Sequence, residues 1–253
     1  MDNGLNEINK KKQDQMLKLV TNSFYKELKS YGVDSSDIIT VSVNLLDHIT
    51  DNGKSEEKGS EYYNNFFTIN SVVDNWEKKQ EISFNGVTIK QLQNQHVKSI
   101  AEWLGNAEIN QTFIGLMPKD INRLSDYLLT KPDIKYFAIY HEKEHFVGII
   151  GAENIDHIFK KVEMKKMIGE SQFRGKGIGK SATFLFLYFI FNIMNFNKVY
   201  IHSLDTNIGN ININSKFGFG LEGILFGEVF INEKYRDVLR MGLLKSTWDE
   251  IFS

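Results

Sequence analysis

The sequence predicts a mixed α/β sheet with flanking helices, preceded by a small all-α bundle of helices. Three observations carry this. Strand-like and helix-like segments alternate from about residue 84 onward. The preceding part has the 3.6-residue apolar spacing of helices, as in Val41, Leu45, Leu46 and Ile49. A glycine-punctuated loop at 175–179 is followed by a long apolar run, the strand-loop-helix order of an α/β protein. With 253 residues and 42% hydrophobic content, the chain is long enough for one large domain or two small ones with a real core.

In chain order, helices are expected at roughly 5–20, 35–50 and 69–80, with a polar loop at Asp51–Ser60. A second break near Asn85-Gly86 places the domain boundary at about 82, giving domains 1–81 and 82–253. Beyond it the segments are Val87–Leu92, His96–Leu104, Tyr136–Tyr140, Phe146–Asn154, Val162–Gly169, Ser181–Asn195, Lys198–Leu204 and Ile208–Phe217. A terminal pair of strands lies around Gly227–Phe230 and Leu239–Leu244. The run from Ala182 to Phe196 falls short of the roughly twenty residues a membrane span needs, and Asn192 and Asn195 interrupt it. It reads as a buried core helix.

Composition narrows the partners. Thirty basic residues balance thirty-two acidic ones for a net charge of −2, which gives no electrostatic case for nucleic acid or an anionic membrane. Without cysteine there is no disulfide, thiolate metal site or cysteine nucleophile. No signal peptide is read at the start, and a cytoplasmic location is expected.

The run Gln172-Phe-Arg-Gly-Lys-Gly-Ile-Gly-Lys-Ser181 has the chemistry of a pyrophosphate cradle. Glycines bring backbone N–H groups close to an anion, and the N-terminus of the following helix adds partial positive charge. Arg174, Lys176 and Lys180 add full charges. A Walker A loop would need glycine where Arg174 stands, and the dinucleotide fingerprint needs G-x-G-x-x-G where glycines fall at 175, 177 and 179.

Arg174, Gly177 and Gly179 instead resemble the coenzyme A loop of the GNAT superfamily of N-acetyltransferases. The segment Asn207 to Phe219, ending Lys216-Phe-Gly-Phe, resembles a second motif of that family, with Asn210 in place of a small residue. Glu222-Gly223 and Tyr235-Arg-Asp237 resemble the tail of the subgroup that acetylates ribosomal-protein termini, polyamines and nucleotide-linked amino sugars. The resemblance covers roughly 84–253 and implies a strongly twisted sheet and acetyl-CoA or another acyl-CoA as donor. It further implies direct attack by a primary amine of a small molecule, an amino sugar being favoured. The pantetheine arm would lie in a V-shaped opening along Glu163–Gly169, held by backbone groups of Met167, Ile168 and Gly169. The phosphates would sit on Arg174, Gly175, Lys176, Gly177, Ile178, Gly179 and Lys180, with Asn207 nearby or acting as a helix N-cap.

The N-terminal part has its own register. Tyr31-Gly-Val-Asp-Ser-Ser-Asp-Ile38 resembles the segment of acyl carrier proteins that bears the phosphopantetheine serine, which would be Ser35; Phe67–Trp76 resembles their final helix. That resemblance implies 4'-phosphopantetheine on Ser35, with a phosphopantetheinyl transferase and an acyl-loading enzyme as partners. In the alternative, Asp34 and Ser35 cap a helix by accepting bonds from its first-turn N–H groups.

The chemistry needs a base for the amine and a proton for the leaving thiolate. His202 is the first candidate base, since imidazole's ordinary pKa of about 6.5 leaves it mainly neutral at cytoplasmic pH. Glu170 and Glu153 follow. Relatives often place a tyrosine acid four residues before Gly218, but Asn214 stands there and cannot supply a proton, so water, the released ammonium proton or Tyr235 must serve. A non-catalytic acyl-CoA-binding protein is the alternative this substitution favours. His141 and His145 lie in a charged hairpin turn instead of on a helix that would align them for metal, and no Gly-x-Ser-x-Gly elbow is present.

Overall fold

The computed structural model describes residues 2–39, 41, 63, 65–106, 117–142, 144–204, 207–231 and 233–252. The chain divides into two compact units, Met1–Lys58 and Gly59–Ser253.

In the first unit, helix α1 (Asp2–Ser30) ends at Gly32, which adopts the left-handed φ of +76°. A second helix begins at residue 35. Its cap is Asp34, whose Oδ1 accepts from the N–H groups of Ser36 (2.8 Å) and Asp37 (3.0 Å), so the capping alternative is realised there. The Ser36 hydroxyl, which donates to the same oxygen at 2.6 Å, together with these N–H bonds holds the Asp34 carboxyl below its usual range. Ser35 is exposed and accepts a bond from Lys29 Nζ at 3.1 Å. Leu45, Leu46, Ile49 and the expected loop at Asp51–Ser60 lie outside the described residues.

In the second unit the described strands form one sheet in the order β1-β2-β3-β4-β5-β6-β7-β9-β8. These are β1 (Val73–Asp74), β2 (Glu81–Phe84), β3 (Val87–Gln91), β4 (Lys135–His141), β5 (His145–Asp156), β6 (Lys161–Ile168), β7 (Lys198–Leu204), β8 (Gly220–Ile231) and β9 (Lys234–Leu244). All neighbours are antiparallel except β6 and β7. The helices are α2 (Trp76–Lys79), α3 (Val97–Leu104), α4 (Ile121–Leu129), α5 (Ile178–Tyr188), α6 (Ile208–Lys216) and α7 (Lys245–Phe252).

Period-two alternation sends each strand's side chains to two separate cores. Phe137 and Ile139 of β4, with Val162 and Met164 of β6, join α5 in one; Tyr136, Ala138 and Met167 join α3 and α4 in the other. Helix α5 is apolar all round because it is enclosed, and Ala182, Phe184, Leu185 and Phe186 have no exposed area. It continues as a π-helix, Phe189–Ile193, where Asn192 Oδ1 accepts from Trp248 Nε1 at 3.0 Å; Asn195 then turns left-handed and the helix stops. The two asparagines that interrupt the apolar run therefore anchor and end the helix.

Three expectations change. The segment 69–80 is no single carrier-like helix but a 3₁₀ turn, β1 and the four-residue α2. Its Trp76 packs edge-on against Phe137 (5.6 Å) and Phe189 (4.6 Å), so burial against the sheet overrides helical spacing. Asn85-Gly86, read as a break, is the two-residue turn of the β2–β3 hairpin, both residues having positive φ as a type I′ turn requires. Tyr63 and Phe67, placed by sequence before the boundary at 82, are buried in the α5 core of the second unit.

Candidate functional site

The site begins where β6 and β7 part. They are paired in parallel at Lys161/Lys198, Val162/Val199 and Glu163/Tyr200, and no further. Beyond that point each strand keeps its outer partner: β6 stays with β5 to Ile168/Gly148, and β7 stays with β9 to Leu204/Val238. Two strands held from outside and unpaired within leave a wedge. Gly169 N–H donates to Val147 O at 2.9 Å, so alternation directs the backbone groups of Met164, Lys166 and Ile168 into the opening. Of the three backbone positions expected to face it, Ile168 does so; those of Met167 and Gly169 turn towards β5.

At the wide end lies the cradle. Gly175 and Gly177 have φ of +75° and +82°, and Gly177 is the N-cap of α5. The N–H groups of Gly175, Lys176, Gly177, Ile178 and Gly179 have no partner among the described residues. Five successive free donors at a helix N-terminus form an anion-binding concavity. A cavity of about 540 Å³ opens there. Met167, Ile168, Arg174, Gly175, Gly177, Gly179, Lys180 and Asn207 all line it, together with Lys166 and Asn210. Lys176 and Ile178 face a smaller recess of about 170 Å³ on the other side of the loop, shared with His141. His141 itself pairs with His145 across the β4–β5 hairpin. The donor set suits a pyrophosphate: open backbone amides, a guanidinium and an ammonium, and space with no side chain within 4 Å of where Gly175 or Gly177 would bear a Cβ.

Gly169 fixes the loop from the other face. A Cβ there would lie 1.9 Å from the Trp103 ring, so only glycine lets that ring close over the strand end. Trp103 Nε1 donates to Glu170 Oε1 at 3.2 Å, which places Glu170 as a structural partner of the indole. Asn207 is the N-cap of α6, its side chain accepting from Asn210 N at 3.4 Å, while it also lines the cavity.

The opposite face of the wedge carries side-chain chemistry. His202 Nδ1 lies 2.8 Å from Glu163 Oε1; the carboxylate accepts, so in the neutral ring the proton sits on Nδ1 and Nε2 carries the lone pair. Nε2 is enclosed and without a partner among the described residues. Lys165 Nζ meets the same Glu163 oxygen at 2.5 Å. Burial pushes the Glu163 carboxyl up, but the His202 hydrogen bond and the Lys165 charge outweigh it and hold the group down at about 2. On the adjacent strand β5, its register partner Glu153 accepts from Tyr127 Oη (2.7 Å) and Tyr136 Oη (2.6 Å). Burial and that carboxylate raise both phenols.

Tyr235 stands elsewhere, 73% exposed on the β8–β9 hairpin and in ring contact with Phe230 at 5.0 Å. Asn214 is buried, donating Nδ2 to Asn210 O at 2.9 Å, and does not line the cavity. Sequence reading missed Glu163 as the partner of His202, since their contact needs the β6–β7 register, and missed Lys166, whose signal was a Lys165-Lys166 pair inside an apolar strand.

The comparison with known families decides the assignment. Residues 87–220 match the acetyltransferase (GNAT) domain model. The chain belongs to the GNAT acetyltransferase family. Among relatives of this GNAT protein, spermidine N(1)-acetyltransferase of Vibrio cholerae is 30% identical over 112 residues, covering 44% of this chain and 64% of the relative. The Escherichia coli (strain K12) enzyme of the same name is 33% identical over 94 residues, 37% of this chain and 50% of the relative. The chain thus spans less than two thirds of the length of either. The fold matches that of spermidine N-acetyltransferase from V. cholerae in complex with CoA and spermine, with a TM-score of 0.61 and 23% identity over 64% of this chain and 98% of that one.

Proposed function

We propose that this chain is an N-acyltransferase that takes an acetyl or other short acyl group from coenzyme A and passes it to a primary amine of a small molecule. The wedge carries the reading: β6 and β7 separate beyond Glu163/Tyr200 and open onto a cavity walled by Ile168, Arg174, Gly177, Gly179 and Lys180. Bound there, the donor supplies an activated thioester carbonyl. The cradle N–H groups hold its phosphates, and the open backbone groups of Ile168, Lys166 and Met164 orient the arm. His202 is the base, its tautomer fixed by Glu163 so that Nε2 can take the amine proton. Glu153 is the second carboxylate of that face, and Glu170 acts by holding Trp103. Tyr235, the acid expected from sequence, does not line the cavity, so in this reading water or the proton released from the amine serves the thiolate.

For the acceptor, a cationic aliphatic amine of the polyamine type is favoured over an amino sugar, because the relatives named above act on spermidine and the acceptor face carries Glu153 and Glu163. Titration calorimetry with acetyl-CoA, followed by thiol release with a panel of polyamines, amino sugars and peptides, tests this. Binding with polyamine-dependent thiol release is expected; binding without turnover on any amine would leave a sensor instead of an enzyme.

A second reading concerns the donor. Ser35 is exposed in the first turn of its helix, beside Asp34, the position a carrier serine would need. Incubation with a phosphopantetheinyl transferase should then add one phosphopantetheine mass to the wild type and none to Ser35→Ala; an unchanged wild type defeats it.

A further inference from the structure

The cavity wall contains a cation, Lys166, that no carboxylate among the described lining residues neutralises. Lys166 lies on β6 with its side chain directed under the first turns of α5, where Nζ donates to Thr183 Oγ1 at 2.7 Å and Thr183 Oγ1 in turn donates to Gly179 O. Its Cε is 4.0 Å from where a Cβ on Gly179 would stand, directly beneath the cradle. An ammonium has three donors, and one is used here among the described residues. The charged groups on the same cavity are Arg174 from the loop and Lys180 from α5, both positive. On β5 its register partner is Ile150, and α6 contributes Asn207, Asn210 and Ile213 to the wall. No carboxylate answers from any of these elements. The α5 N-terminus adds more positive potential.

A partly buried cation among cations is costly unless a counter-charge arrives. Burial pushes the Lys166 ammonium down to about 8. Its neighbours on β6 show the contrast: Lys165, on the other face, has Glu163. Since the free space beside Lys166 is the cradle, the missing anion is one that the cradle itself admits.

We infer that Lys166 is a phosphate-binding cation beneath the donor cradle, and that the nucleotide's pyrophosphate enters with uptake of a proton onto its amine. This rests on the acyl-CoA reading above. The proton comes from solvent and no covalent bond changes; the ammonium forms and pairs with a phosphate oxygen.

Calorimetry at pH 8.5 in two buffers of different ionisation enthalpy, neither of them phosphate, counts the protons that accompany acetyl-CoA binding. Wild type should take up a fraction of a proton that falls towards zero at pH 7, where Lys166 is already charged. Lys166→Met should bind roughly tenfold or more weakly, as loss of a bond to a charged group implies, with no uptake. Lys166→Arg, charged throughout, should retain binding without uptake. Wild-type binding with no uptake at pH 8.5, or uptake that persists in Lys166→Met, overturns the assignment to Lys166. Absence of any acetyl-CoA binding by wild type overturns the acyl-CoA reading itself, a result distinct from binding without a proton. Should Lys166→Met fail to fold, the wild-type proton count and Lys166→Arg still decide.

Discussion

The two faces of the β6–β7 wedge handle charge in opposite ways. On the cradle side the working groups are five backbone N–H donors without partners among the described residues, with cations on both sides of the loop. On the other side the two carboxylates Glu163 and Glu153 are already engaged, Glu163 by His202 and Lys165, Glu153 by two tyrosines. A surface that binds an anion must keep its donors open, at a cost in folding, whereas a surface that moves a proton must hold its groups in one tautomer and position. The first is built from main chain and glycine; the second needs side chains brought together across strands.

The largest break in that comparison comes from removing Glu163. Its side chain is 5% exposed, and Glu163→Leu would remove both the acceptor of His202 Nδ1 and the carboxylate beside Lys165, costing about 3–5 kcal/mol in denaturant unfolding. Donor binding, resting on the other face, should survive in whatever fraction folds. Glu163 also sets an acid limb. Its folded carboxyl titrates at about 2, below the ordinary 4.5, so its stabilisation is complete above about pH 4.5 and drains away as pH falls towards 2. The loss approaches about 3 kcal/mol, and Glu163→Gln should flatten that part of the pH–stability curve. An acid limb unchanged in Glu163→Gln would show that the carboxylate is not held as the geometry says.

Next is His202. If Nε2 is the base, His202→Ala should lower kcat by about a hundredfold or more, while calorimetric affinity for acetyl-CoA stays within about twofold. Equal losses in both would merge the two faces into one unit. His202→Gln keeps a donor towards Glu163 and should restore stability without restoring rate, separating the positioning bond from the proton acceptor.

This division also decides what the sequence could reveal. The cradle was legible because its chemistry is local: glycines at 175, 177 and 179, three basic residues, and an apolar helix after them are all contiguous in the chain. Strands β3 to β9 were legible for the same reason, since short apolar, β-forming runs bounded by turn residues are written in neighbouring positions. Helix α4 (121–129), helix α7 (245–252) and strands β1 and β2 were not singled out, being short or recruited by packing such as that of Trp248 and Trp76. Glu163 with His202 is separated by thirty-nine positions and joined only by parallel register. Lys166 was hidden more deeply, since a lysine in a strand ordinarily points to water and only the packing of α5 over β6 shows that this one does not.

The smallest effects sharpen the cradle side alone. Gly177 holds φ of +82° with open space around it, so Gly177→Ala meets no clash and costs only the left-handed backbone, about 1–2 kcal/mol. Its free N–H groups would be re-aimed by the same strain, and acetyl-CoA affinity should fall with stability. Gly179 is different. Its φ is not positive, and an added methyl would meet Ile168 Cγ1 at 3.8 Å, ordinary contact. Gly179→Ala should therefore change stability by less than about 1 kcal/mol, helix propensity working in its favour, and leave donor affinity within a few-fold. Two neighbouring glycines with the same substitution then report conformation against bulk. Were Gly179→Ala as damaging to binding as Gly177→Ala, the cavity would be reading side-chain volume, and the aimed backbone donors could not be what grips the phosphates.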